Sequence, residues 1–204
     1  LFIWGIFLTR KHGVLNLNNV LLLVIIGLVY DNFIIALGKY IGEGNTLIYL
    51  SYMRYWLHAL FTPTLILFAW DIYSRADLTK TNATLWKAIA YLITIGFICY
   101  ELFTSIKGLK LEPVWKNGVL TYEDTGHSVS LMVIFITLIL GLVGLHLIIK
   151  FRFFWLLFAT LTMIIGSVLT IWIKNFPIMN VMELLFIFSL LLTKQFIEKI
   201  EIQT

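Results

Sequence analysis

Charge is scarce in this chain of 204 residues: 13% are Asp, Glu, Lys or Arg, against 60% that are hydrophobic. Soluble domains carry about 25% charged and about 45–50% apolar residues, so a soluble globular protein is excluded. Cysteine is scarcer still, and the single Cys99 excludes an internal disulfide and a thiolate metal cage. The net charge of +4 forms no basic stripe, because Lys and Arg fall in short clusters between apolar runs. Nucleic-acid binding is therefore not expected. Also missing are Gly-x-Ser-x-Gly, a phosphate loop and His-Glu-x-x-His. No internal repeat or inverted pair of similar halves is visible, which removes the usual transporter signature.

What the chain does have is long apolar runs. A helix needs about 20 residues to cross a bilayer core of roughly 30 Å. Six stretches meet that length: 17–38, 47–70, 86–106, 128–149, 153–173 and 178–196. A shorter apolar stretch, Leu1 to Leu8, precedes Arg10, Lys11 and His12 and reads as the tail of a further span. A signal peptide would carry its basic residues before the apolar stretch rather than after it. The expected fold is all-α: a polytopic integral membrane bundle of seven helices over 1–204, six complete and the first truncated, forming a single transmembrane domain.

Most connections are short, so neighbouring helices should run antiparallel. The exception is 107–127, where Asn117-Gly118 separates two β-prone runs, the strongest short hairpin signal. A small hairpin is expected around 111–123, with Pro113 tolerable near its edge. Orientation follows from Lys and Arg. With Arg10 and Lys11 inside, the inner side holds nine basic residues (10, 11, 75, 80, 87, 150, 152, 194 and 199) and the outer side five (39, 107, 110, 116 and 174). That asymmetry predicts an N-terminus outside, a cytoplasmic C-terminus and an outer hairpin, in a bacterial cytoplasmic membrane.

Ionisable residues inside spans cost about 2.5–3.5 kcal/mol each near the bilayer centre, so each is a functional candidate. Asp31, Arg54, Glu101 and Glu183 lie roughly five to seven residues from the outer ends of four different spans, with His58 deeper. This shared depth is the most informative pattern in the sequence. Arg54 and His58 are i,i+4 and share a helix face, with Ser51 one turn earlier. Pro63 should kink the helix just below His58. Thr94, Ile98, Glu101 and Ser105 form one stripe, and Asn180 is i,i+3 to Glu183.

His58 suits general acid–base work near neutral pH, and Arg54 an anionic headgroup or a developing oxyanion. Asp31, Glu101 and Glu183 suit proton transfer or a divalent cation, the one cofactor these carboxylates would hold. Asn32, Tyr100, Asn180 and Ser51 are candidate substrate contacts. His58 and His146 lie at different depths, which disfavours a bis-histidine haem. Lys194 sits at the inner end of its span, which disfavours a retinal-type pigment. His146 reads as an interface residue, His127 as solvated and Asp71–Arg75 as a surface pair. Small residues at Thr137, Gly141 and Gly144, and at Ala159, Thr162, Gly166 and Thr170, read as close helix packing.

The leading expectation is a membrane-embedded enzyme acting on a lipid or amphipathic substrate. The alternatives are an ion, proton or small-solute transporter or sensor using the same residues, and a structural subunit of a membrane complex. The expected partners are membrane lipids and either another membrane protein or further copies of the chain.

Overall fold

In an apolar solvent every backbone N–H and C=O must be paired within the chain, and a helix does this locally. The apolar runs accordingly become helices. The computed structural model describes residues 1–12, 17–77, 83–116, 118–126, 130–173 and 178–203. Its α-helices are α1 (Phe2–His12), α2 (Leu21–Ile41), α3 (Asn45–Phe61), α4 (Leu65–Asp77), α5 (Ala83–Glu101), α6 (Leu131–Phe151), α7 (Trp155–Trp172) and α8 (Ile178–Gln203). A 3₁₀ turn at Leu17–Val20 leads into α2, and a π-turn at Leu102–Ile106 closes α5.

Four helical stretches are long and apolar enough to cross a membrane: Leu17–Ile41, Ala83–Ile106, Leu131–Phe151 and Ile178–Ile200. Two of the six expected spans differ. The 47–70 stretch is divided at Pro63, where a 3₁₀ turn over Thr62–Thr64 separates α3 from α4. Proline has no N–H to donate and its ring crowds the preceding turn. The 153–173 stretch yields a helix whose apolar part, Trp155–Thr170, is shorter than the others.

The distribution of apolar side chains is that of a bundle dissolved in an apolar medium. Ile149 on α6 and Trp172 on α7 are 82% and 81% exposed, and Leu92 on α5 and Leu142 on α6 also face outward. Inside, the first half of α4 is apolar all round, and Leu65, Ile66, Leu67, Phe68, Ala69, Ile72 and Ala76 are buried. A helix of that kind belongs in the middle, and α4 contacts α5, α6 and α8. Gly144 admits the closest approach between α6 and α7: a Cβ there would lie 2.7 Å from the backbone N of Leu157. Gly141 is looser, in ordinary contact with Thr160.

The expected hairpin is present. Strands β1 (Leu111–Lys116) and β2 (Val119–Asp124) pair antiparallel from Leu111↔Asp124 to Lys116↔Val119. Gly118 has φ +76°, as the tight turn requires; its neighbour Asn117 lies outside the described residues, as do His127, Lys80 and Lys174. The hairpin does not stand free in solvent. Leu120 and Tyr122 form a second small core with Ile34 of α2 and Leu47 of α3. Gly38 makes this docking possible, because a Cβ there would lie 1.8 Å from the Leu120 carbonyl oxygen. The backbone N–H of Asp124 donates to Tyr55 Oη at 3.0 Å, and that of Gly44 donates to Tyr122 Oη at 3.2 Å, fastening the C-terminal half of β2.

Candidate functional site: a polar cavity below the hairpin

Asp31, Arg54, His58, Glu101 and Glu183 all line one cavity of about 370 Å³, within the range of about 300–1,000 Å³ typical of small-molecule sites. Four helices bring them together: α2 carries Asp31, α3 carries Arg54 and His58, the C-terminal end of α5 carries Glu101, and α8 carries Glu183. The remaining wall combines Tyr55, Thr62, Ser105 and Ser130 with apolar side chains that include Val24, Leu28, Phe61, Leu65, Met163 and Phe186.

Arg54 is largely committed within the protein. Its Nε donates to Asp31 Oδ1 at 2.6 Å, its Nη1 donates to Thr121 Oγ1 of β2 at 2.7 Å, and its guanidinium lies 6.0 Å from the Tyr55 ring centroid. Glu101 is 3% exposed and accepts from two hydroxyls, Ser105 Oγ at 2.6 Å and Ser130 Oγ at 2.7 Å. The π-turn after Glu101 follows a common association between such turns and functional sites. His58 Nδ1 lies 3.2 Å from Thr62 Oγ1, one helical turn on, and the residue is exposed where it lines the cavity. Glu183 makes no hydrogen bond or ion pair among the described residues.

This arrangement offers no ready-made cage for a cation. Among the described residues, no three His, Cys, Asp or Glu side chains come close enough together to hold one metal ion. Asp31 is turned onto Arg54 and Glu101 accepts from two serines, so their oxygens are committed to those partners rather than to an ion shared with Glu183.

The four candidate substrate contacts do not line the cavity. Asn32 and Asn180 bond each other instead, Asn180 Nδ2 donating to Asn32 Oδ1 at 2.7 Å. Tyr100 is exposed and lies edge-on to Phe97 at 6.5 Å. Ser51 is buried, with Oγ unpartnered among the described residues. For Asn32 and Tyr100 the reason is helical pitch: with 3.6 residues per turn, successive side chains point about 100° apart. Asn32 and Tyr100 therefore turn away where Asp31 and Glu101 turn in. Conversely, Thr62, Ser130 and Thr121 were not singled out by the sequence reading. Thr62 is visible in retrospect as i+4 to His58, and Ser130 as the hydroxyl residue just before an apolar run. Nothing local marks Thr121.

A second buried polar cluster lies at the opposite end of α8. Lys194, expected at the inner interface, is 1% exposed. Its Nζ donates to Asn19 Oδ1 at 2.5 Å and to Thr9 Oγ1 at 3.3 Å, and lies 3.9 Å from Glu198 Oε1. Asn18 Nδ2 donates to the same Glu198 oxygen at 3.3 Å. Asp71 and Arg75 also depart from the expected surface pair: they bridge at 2.7 Å, but Asp71 is buried. His146 packs on Tyr73, ring centroids 5.0 Å apart, rather than reaching to an interface. These residues face the interior because α1, α4 and the turn before α2 close over them.

Neither a family model, nor a curated protein, nor a solved structure matches this chain, so its chemistry has to be read from the cavity itself.

Proposed function

We propose that the chain is a multi-pass membrane protein whose cavity receives an amphipathic molecule, and that His58 exchanges a proton with it in an enzymatic reaction. In this reading α3 and α4 form one broken span, and the hairpin lies on the outer side. The N-terminus lies outside, the C-terminus is cytoplasmic, and the cavity falls in the outer half of a bacterial cytoplasmic membrane.

The observation that carries this reading is the polarity gradient along the cavity. On α2, Asp31 is followed inward by Leu28 and Val24. On α3, Arg54 and His58 are followed by Phe61, beyond which come Thr62 of the 3₁₀ turn and Leu65 at the start of α4, and on α8, Glu183 is followed by Phe186. The α2, α3 and α8 walls thus offer polar groups toward the hairpin and mainly apolar groups away from it, the Thr62 hydroxyl being the exception, as the head and tail of an amphiphile require. His58 is the group suited to proton transfer, because one ring nitrogen faces the Thr62 hydroxyl and the other stays available to a bound molecule. Arg54, already matched by Asp31, serves as a fixed dipole beside the head rather than as its counter-ion.

The test is incubation of the purified protein with vesicles of total lipid extract, followed by mass spectrometry of the lipids. The native protein should generate a product that His58→Gln does not. A ligand that co-purifies with both proteins and is never converted supports the transport or sensing reading instead. Absence of any co-purifying or converted amphiphile refutes the proposal.

A further inference from the structure

We propose that the amphiphile is cationic, an ammonium group on an apolar chain, held by the carboxylate of Glu183 and the rings of Phe186 and Phe61. This inference rests on the amphiphile-binding reading above and names its ligand class.

The argument begins with which charges are already met. Asp31 and Arg54 neutralise each other through a 2.6 Å ion pair, and Thr121 occupies a further guanidinium nitrogen. Glu101 accepts from two serine hydroxyls, leaving little demand for a further donor. Glu183 alone among the cavity carboxylates has neither a hydrogen bond nor an ion pair among the described residues. A carboxylate without a partner in a low-dielectric site is costly. A bound cation removes that cost, whereas a bound phosphate or carboxylate increases it.

The geometry of the walls agrees. Asn180 of α8 bonds Asn32 of α2, and farther along α8 Lys194 bonds Asn19 just before α2, so α8 and α2 run antiparallel. The tight connection between α2 and α3, and the bond from Tyr30 Oη to the Leu50 carbonyl, make α3 antiparallel to α2 as well. Hence α3 and α8 run parallel. Each presents a titratable group followed three residues later by an aromatic ring: His58 then Phe61, and Glu183 then Phe186. Glu183 and Phe186 share a face of α8 by their i,i+3 spacing. A carboxylate beside aromatic rings is the combination that recognises alkylammonium groups. The Tyr55 ring is occupied by Arg54, which leaves Phe61 and Phe186 for the ligand. Leu28, Val24 and Met163 then receive the chain.

The experiment compares dodecyltrimethylammonium, dodecyl phosphate and an uncharged dodecyl glycoside by titration calorimetry on the intact protein in amphipol. The same titrations on Val24→Trp, which fills the apolar end, subtract adventitious partitioning; Leu28→Trp provides this control one turn away. The cation should bind at least tenfold more tightly than either competitor. Glu183→Gln, matching the carboxyl in size, should remove that preference, and Phe186→Leu should weaken the cation several-fold. Added phosphatidylethanolamine, a zwitterion whose phosphate lies beside its ammonium, should not displace the cation; displacement would overturn the cationic class in favour of a zwitterionic headgroup. Cavity-dependent binding that favours the phosphate, or a Glu183→Gln protein that keeps the cation preference, overturns the inference but leaves the amphiphile reading standing. If no dodecyl compound binds in a way that the filled cavity abolishes, both fail together.

Discussion

Arg54 is the residue on which the polar end of the cavity turns. It ties α3 to α2 through Asp31 and to β2 through Thr121, so one side chain joins two helices and the hairpin. The ion pair is partly buried, with side-chain exposures of 11% for Arg54 and 27% for Asp31. Its energetic role therefore lies between that of surface pairs, about 0–1 kcal/mol, and of fully buried ones, where removing one partner costs about 3–5 kcal/mol. Arg54→Ala should lower stability by about 2 kcal/mol, chiefly because Asp31 loses its partner beside Glu183. Adding Asp31→Asn to Arg54→Ala should recover part of that loss. Thermal unfolding of the purified single and double variants in the same detergent measures both effects. A double variant no more stable than Arg54→Ala would mean that packing of the long arginine stem, not charge, holds the helices.

At the scale of elements, the hairpin docks beside the polar end of the cavity through the Thr121–Arg54 bond, and its seat depends on Gly38 of α2. The Cβ of an alanine there would lie 1.8 Å from a backbone oxygen of Leu120, too close for a side chain to accommodate by turning aside. Gly38→Ala should therefore lift β2, remove Leu120 from its contacts with Ile34 and Leu47, and draw Thr121 away from Arg54. Amide exchange across 119–124, read by mass spectrometry, should accelerate at least tenfold, with α6 and α7 unchanged. Unaltered protection of the strand would show that α2 bends to absorb the methyl group. The break at Pro63 works differently: it ends α3 just after His58 and Phe61 and starts α4, whose buried faces form the centre of the bundle. The helix that carries the site and the helix that carries the core are thereby separated by one turn.

At the scale of the whole molecule, the charges along α8 fall at two levels, Glu183 toward the hairpin and Lys194 with Glu198 toward the other end. Burial of Lys194 withdraws one cation from the inner count, leaving eight against five. The proposed orientation, with the hairpin outside, makes a labelling prediction. Placed in a Cys99→Ala background, because Cys99 is itself exposed, Lys116→Cys should react with a membrane-impermeant maleimide in intact cells. Ser74→Cys should react only after lysis. The opposite pattern would put the hairpin and the cavity mouth on the cytoplasmic side.

Local physics made much of this legible in advance. Apolar runs become helices wherever they lie, Pro63 interrupts one for want of an N–H, and a two-residue turn ending in glycine closes the hairpin. The common depth of Asp31, Arg54, His58, Glu101 and Glu183 followed from counting along helices of known rise, and the cost of charge in lipid pointed all five inward. Partner choice is another matter. Thr121 reaches Arg54 across 67 residues, Ser130 reaches Glu101 across 29, and Asn19 reaches Lys194 across 175. Neither helical period nor spacing carries information over such separations. Only the packing of α2, α3, α8 and the hairpin decides which carboxylates are satisfied, and hence that Glu183 faces the cavity without a partner among the described residues.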